Sequence, residues 1–113
     1  MKYEIDMNSV GQYIWRLRAD NNLIVANGES YAAKQSCQHV IGLVHAARME
    51  QFSVFPDARG EWRWHLRADN QEIIAQSSEG YRNRQDCDHA IRLVYGAGPS
   101  TVVVDLTVAG VRR

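Results

Sequence analysis

The chain has 113 residues, 45% hydrophobic and 23% charged, with 13 basic and 13 acidic side chains and a formal charge of zero. That length suits one domain burying roughly two-thirds of its unfolded surface. The apolar content argues against disorder, and the charge balance argues against a wholly basic nucleic-acid binder. Met1-Lys2-Tyr3-Glu4-Ile5-Asp6 has no apolar signal-peptide segment, and no apolar run is long enough to span a bilayer. Two cysteines, Cys37 and Cys87, are too few for a secreted disulfide framework. The expectation is a cytoplasmic protein with no membrane association.

Lys2-Tyr-Glu-Ile opens the first element. Tyr13-Ile-Trp-Arg-Leu-Arg-Ala then alternates apolar and polar residues with period two, the pattern of a half-buried strand. Asp20-Asn21 supplies turn chemistry and leads to a second strand over Leu23–Ala26. Residues 33–47 carry Cys37, Ile41 and Val44 at helical spacing, with Ser36 in or near the first turn. The same series then repeats. Gln51-Phe-Ser-Val matches Lys2-Tyr-Glu-Ile, Trp62–Ala68 matches Tyr13–Ala19, and Glu72–Ala75 matches Leu23–Ala26. The helix over 83–96 repeats Gln35, Cys37, His39, Ile41, Leu43 and Val44 as Gln85, Cys87, His89, Ile91, Leu93 and Val94. Between Gly11 and Ala47 close to half of the aligned positions are identical, so the chain reads as an internal duplication. Gly98-Pro99 stops the second helix, and Thr101–Val108 is a last strand with Val102, Val104, Leu106 and Val108 on one face.

The expected fold is α+β, from tandem β-β-β-α-β units, repeat 1 about 1–55 and repeat 2 about 51–108. The strand 51–55 is shared, closing one unit and opening the next, and the whole of 1–113 forms a single domain. One continuous antiparallel sheet carries both helices on one face. The inward set is Tyr13, Trp15, Leu17, Ala19, Trp62, Trp64, Leu66 and Ala68.

The run Gly60-x-Trp62-x-Trp64-x-Leu66-x-Ala68-x-Asn70-x-Glu72-Ile73-Ile74-Ala75-x-Ser77-Ser78-Glu79-Gly80-Tyr81, followed by Cys87-x-x-x-Ile91-x-x-Val94, resembles the YegP-like family of small uncharacterised proteins. The first unit follows the pattern more loosely, with Asn27-Gly28-Glu29-Ser30-Tyr31 where Ser-Ser-x-Gly-Tyr is expected. The resemblance implies that the two units exchange their C-terminal strands. It implies no activity, cofactor or catalytic residue.

Cys37-x-His39 and Cys87-x-His89 are the first candidates for chemistry. Residues two apart on a helix point about 200° apart, so each thiol and imidazole face different ways. The cysteines fall on the apolar stripe, where a thiol acts as a small hydrophobe. No spacing of metal ligands and no nucleophile–base arrangement is present, so neither metal, cofactor nor catalytic residues are expected. Asp86 and Asp88 suit the helix dipole, and Tyr31 and Tyr81 suit anchors for the helix starts. Gln35, His39 and Leu43, repeated as Gln85, His89 and Leu93, form a second helix stripe. It reads first as a contact between neighbouring helices and second as a partner surface.

Strand parity places Arg16, Arg18, Arg63, His65 and Arg67 on the sheet face away from the helices. By the same parity Glu4, Asp6, Glu72 and Asp105 lie beside them, which favours a salt-paired face. The expectation is a non-catalytic module that binds a protein partner or associates with itself. The alternative is nucleic-acid binding through the arginine face, disfavoured because Trp15, Trp62 and Trp64 point inward and cannot stack bases.

Overall fold

The computed structural model describes residues 1–108. The last five residues of the expected 1–113 domain lie outside the described residues. Three strands, β1 (Lys2–Met7), β2 (Tyr13–Arg18) and β3 (Ile24–Asn27), lead to helix α1 (Lys34–His45). A 3₁₀ turn at Met49–Gln51 precedes β4 (Phe52–Pro56), β5 (Trp62–Arg67) and β6 (Ile73–Gln76). Helix α2 (Arg84–Gly96) and β7 (Val102–Asp105) complete the order.

All seven strands form one sheet, ordered β4-β5-β6-β3-β2-β1-β7. The sheet is mixed, which corrects the expectation of a wholly antiparallel one. β7 runs parallel to β1, with Lys2 opposite Val102 and Ile5 opposite Asp105. The reason is topological: β7 arrives by a helical crossover, and such a connection, unlike a hairpin, can deliver a strand in parallel.

The helix-facing parity is as the alternation requires. Tyr3, Ile5, Trp15, Leu17, Trp64 and Leu66 are at most 1% exposed and join Cys37, Ile41, Val44, Cys87, Ile91 and Val94 in one core. Helix α1 packs over β2 and β6, and α2 packs over β5 and β3, so each helix straddles the midline of the sheet. Tyr13 and Trp62 are half-buried on the helix side, where Lys34 lies 5.8 Å from the Tyr13 ring and Arg84 5.4 Å from the Trp62 ring.

The turns match the sequence with one displacement. The left-handed residues of the β2–β3 and β5–β6 turns are Asn22 and Gln71, one position beyond the Asp-Asn pairs. Asn21 and Asn70 instead accept backbone N–H groups two residues on, at 3.1 and 3.0 Å. Tyr31 and Tyr81 anchor the helix starts through their backbones, each exchanging two hydrogen bonds with Tyr13 or Trp62. At α2 the Asn83 side chain accepts from the Asp86 N–H at 2.9 Å, whereas α1 begins at Ala33 with no side-chain cap.

The last strand departs from its expected parity. Val103 and Asp105, not Val102 and Val104, share the helix side with Tyr3 and Ile5. Asp105 is drawn there by Lys34 of α1, whose Nζ lies 2.8 Å from its carboxylate. Residues 106–108 lie beyond the strand, so Val108 is not part of it.

Candidate interaction surfaces

No described helix covers the outer face of the sheet, and the strand register sets its chemistry. One row crosses all seven strands: Val104, Glu4, Arg16, Asn27, Gln76, His65 and Ser53. Arg18 and Ile24 flank it on one half, and Arg67 and Ile73 on the other. Arg16, Arg18, Arg63, His65 and Arg67 therefore share one face, as alternation requires. Asn27 and Gln76 complete the row at the sheet centre, and strand pairing, not sequence, reveals them.

The two halves of this face are neutralised differently. Glu4, only 6% exposed, accepts from Arg16 Nε at 2.7 Å and from Arg18 Nε at 2.8 Å. Arg16 also donates to Asp6 at 3.0 Å, and Lys2 lies 3.7 Å from Glu4. Burial opposes the Glu4 charge, but hydrogen bonds from Arg18 and Arg16 outweigh it and hold the carboxyl below the usual range. Salt pairing thus holds for Glu4 and Asp6.

It does not hold for Asp105, which lies on the helix side, nor for Glu72. That residue sits in the β5–β6 turn, and its charge is felt by Tyr31 on the helix side. The two parity assignments failed for separate reasons: Glu72 precedes a register shift in the β5–β6 pairing, and Asp105 lies on a strand delivered by a crossover.

On the other half, Arg63 pairs with Asp57 at 2.8 Å, and that aspartate also accepts two backbone N–H groups in the β4–β5 turn. Arg63 holds the Asp57 carboxyl below its ordinary range, helped by the Glu61 N–H. Arg67 donates to the Gln71 carbonyl at 2.9 Å and has no carboxylate partner among the described residues. His65 packs against Phe55 with ring centroids 4.6 Å apart, and burial, aided by the Arg67 charge, lowers its imidazole below the ordinary value.

The helix stripe is more exposed than a helix–helix contact requires. Gln35, His39, Gln85 and His89 are exposed, and only Leu43 and Leu93 are half-buried. The imidazoles therefore take no part in a packed interface between α1 and α2. Cys37 and Cys87 are fully buried free thiols, both pushed up to about 11 by burial, with Asp88 adding to the effect at Cys87. A thiol held this high is scarcely ionised near neutrality and is a poor nucleophile. Among the described residues no group of three or more His, Cys, Asp or Glu is placed to hold a metal ion, and no helix is long and apolar enough to cross a membrane.

The class defined by these features is an α+β protein with one mixed seven-stranded sheet and two helices. Residues 8–47 and 57–105 match the model of a domain of unknown function, DUF1508. The chain belongs to this family, the YegP-like proteins. It is 32% identical over 108 residues to the UPF0339 protein YegP of Yersinia pestis, covering 94% of this chain and 96% of that one. A UPF0339 protein of Neisseria meningitidis is 46% identical over 55 residues, 49% of this chain and 96% of its own length. The solution structure of YegP from Escherichia coli, a protein of unknown function, superposes with a TM-score of 0.86 at 26% identity, covering 93% of this chain and 91% of that one.

Proposed function

We propose that this protein is a non-catalytic binding domain that presents the outer face of its sheet to a protein partner rich in carboxylates. The observation that carries this reading is the uncovered cationic half of that face: among the described residues Arg67 has no carboxylate partner, and Arg63 and His65 stand beside it. The buried cysteines support the absence of a reaction centre, since the repeated Cys37 and Cys87 are held as thiols. We read the scaffold as two repeats, about 1–55 and 51–108, in one domain. The strand order supports exchange of their closing strands, because β4 follows α1 yet pairs with β5, and β7 follows α2 yet pairs with β1.

A nucleic-acid partner is the weaker reading. Trp15 and Trp64 are buried on the helix side, which leaves Phe55 as the aromatic neighbour of the basic residues. A tagged pull-down from native lysate, with and without nuclease, tests the proposal against the triple variant Arg63→Glu, His65→Glu, Arg67→Glu. Nuclease-resistant protein capture should be lost in the variant. Unchanged capture would remove the proposal, and salt-sensitive recovery of nucleic acid alone would replace it with the second reading.

A further inference from the structure

On the helix side, remote from the sheet face, a recess of about 300 Å³ lies between the β2–β3 hairpin and α2. Leu23 and Val25 from the hairpin and Ala90 and Leu93 from the helix make it largely apolar. Glu79, Tyr81, Asp86 and His89 supply its polar rim. Among the described residues, no lysine or arginine lines the recess.

Among the described residues neither rim carboxylate has a cationic partner. One oxygen of Asp86 accepts from Asn83 Nδ2 at 3.0 Å, and the other, like the Glu79 carboxylate, has no partner among the described residues. Burial pushes the Tyr81 hydroxyl up to about 12, with Glu79, Cys87 and Asp86 adding to the effect, so the phenol stays neutral between two negative charges. Leu23 is 60% exposed at the mouth, where an apolar ligand would cover it.

The recess is not a by-product of the repeated sequence. Positions that match Leu23, Asp86 and Ala90 in the other half are Glu72, Ser36 and Val40. There the acid has moved to the hairpin, and a larger side chain replaces the alanine whose small size opens the space.

We propose that this recess binds a small organic monocation, a primary ammonium group on an aliphatic or aromatic body. The body lies against Leu23, Val25, Ala90 and Leu93, and the ammonium donates to Asp86 and Glu79. The volume is at the lower end for small-molecule sites, which suits a free amine and not a segment of protein. Charge complementarity decides the sign: an ammonium finds acceptors here, and a carboxylate finds two of its own kind.

Amide-resolved NMR titration of the full chain with phenethylammonium, 2-phenylethanol and phenylacetate tests the assignment. The amine should give saturable shifts centred on Leu23, Asp86, His89 and Leu93. The alcohol should bind about tenfold more weakly, because it lacks the charge-assisted hydrogen bond, and phenylacetate should not bind. Asp86→Asn and Glu79→Gln should each weaken the amine by about fivefold. Leu23→Ser, at a residue too exposed to matter for folding, should weaken amine and alcohol alike. His65→Ala on the far face should change neither. Equal affinity for amine and alcohol, binding unaffected by both carboxylate variants, or no saturable shift with the amine overturns the proposal. So does a lysine-containing peptide that binds more tightly than the free amine.

Discussion

On the β1–β3 half of the outer sheet face, Glu4 lies beneath Arg16, Arg18 and Lys2 as the centre of a closed ionic cluster. On the β4–β6 half, the matching positions hold Ser53, His65, Arg67 and Gln51, with Phe55 where the first half has Asp6. The helix-facing residues behave oppositely. Trp15 and Trp64, Leu17 and Leu66, Ala26 and Ala75, and Cys37 and Cys87 are matched pairs, and all are buried. The core demands close packing and tolerates little change of volume or polarity. The outer face needs only that charges be paired or solvated, and two different solutions satisfy it. One half binds its arginines into a carboxylate cluster; on the other, Arg67 has no carboxylate partner among the described residues.

The comparison is broken most severely by removing Glu4. Glu4→Ala leaves Arg16 and Arg18 part-buried without their shared carboxylate and should cost about 3 kcal/mol in urea unfolding. Ser53→Ala, at the matching position, should stay within about 0.5 kcal/mol. Equal losses would show that the ionic cluster contributes nothing particular. Acid should expose the same cluster. The folded Glu4 carboxyl titrates below its unfolded value, so its stabilisation is complete above about pH 4.5 and is lost as pH falls through the folded value.

Gly28 and Ser77 give the next contrast. A Cβ at Gly28 would stand 2.1 Å from Trp15 Nε1, against an indole wedged in the core. Gly28→Ala should therefore lower stability by about 1–3 kcal/mol in thermal melts. Ser77, the matching residue, has room for its side chain, whose Oγ accepts the Trp64 backbone N–H at 3.3 Å. Ser77→Ala should cost about 1 kcal/mol, the worth of one hydrogen bond.

A smaller effect concerns His45, half-buried against Tyr3 with ring centroids 5.1 Å apart. Its counterpart in the other half is Tyr95. Burial lowers the His45 imidazole from its ordinary value of 6.5. The unfolded chain then binds more protons than the folded one just below pH 6.5, so stability falls as pH drops through that range. His45→Phe should flatten this part of the pH profile, and His65→Phe, for the same reason, should flatten a separate share of it. A profile unchanged in both variants would show that neither ring is desolvated by folding. The smallest expected effect is Arg67→Ala, within about 0.5 kcal/mol, because its one hydrogen bond to the Gln71 carbonyl is exposed.

Much of the fold was legible along the chain. Period-two alternation in Tyr13–Arg18 and Trp62–Arg67 determined which side chains face the helices, because a strand fixed on one buried face has no freedom to slip. The helical spacing of Cys37, Ile41 and Val44, repeated at Cys87, Ile91 and Val94, placed both thiols in the core for the same reason. Local periodicity could not decide where β7 pairs, since a strand delivered by a helical crossover can enter at any open edge and in either parity. Its parallel seat beside β1 turned Asp105 toward Lys34 and left Val102 and Val104 on the outer face. Nor could it show that Asn27 meets Gln76 at the sheet centre, or that Leu23 faces Asp86 across a recess. The sequence by itself determined the two-faced strands and helices, whose periodicities report burial directly. Only the tertiary structure decided which face meets which, because those contacts join residues far apart in the chain.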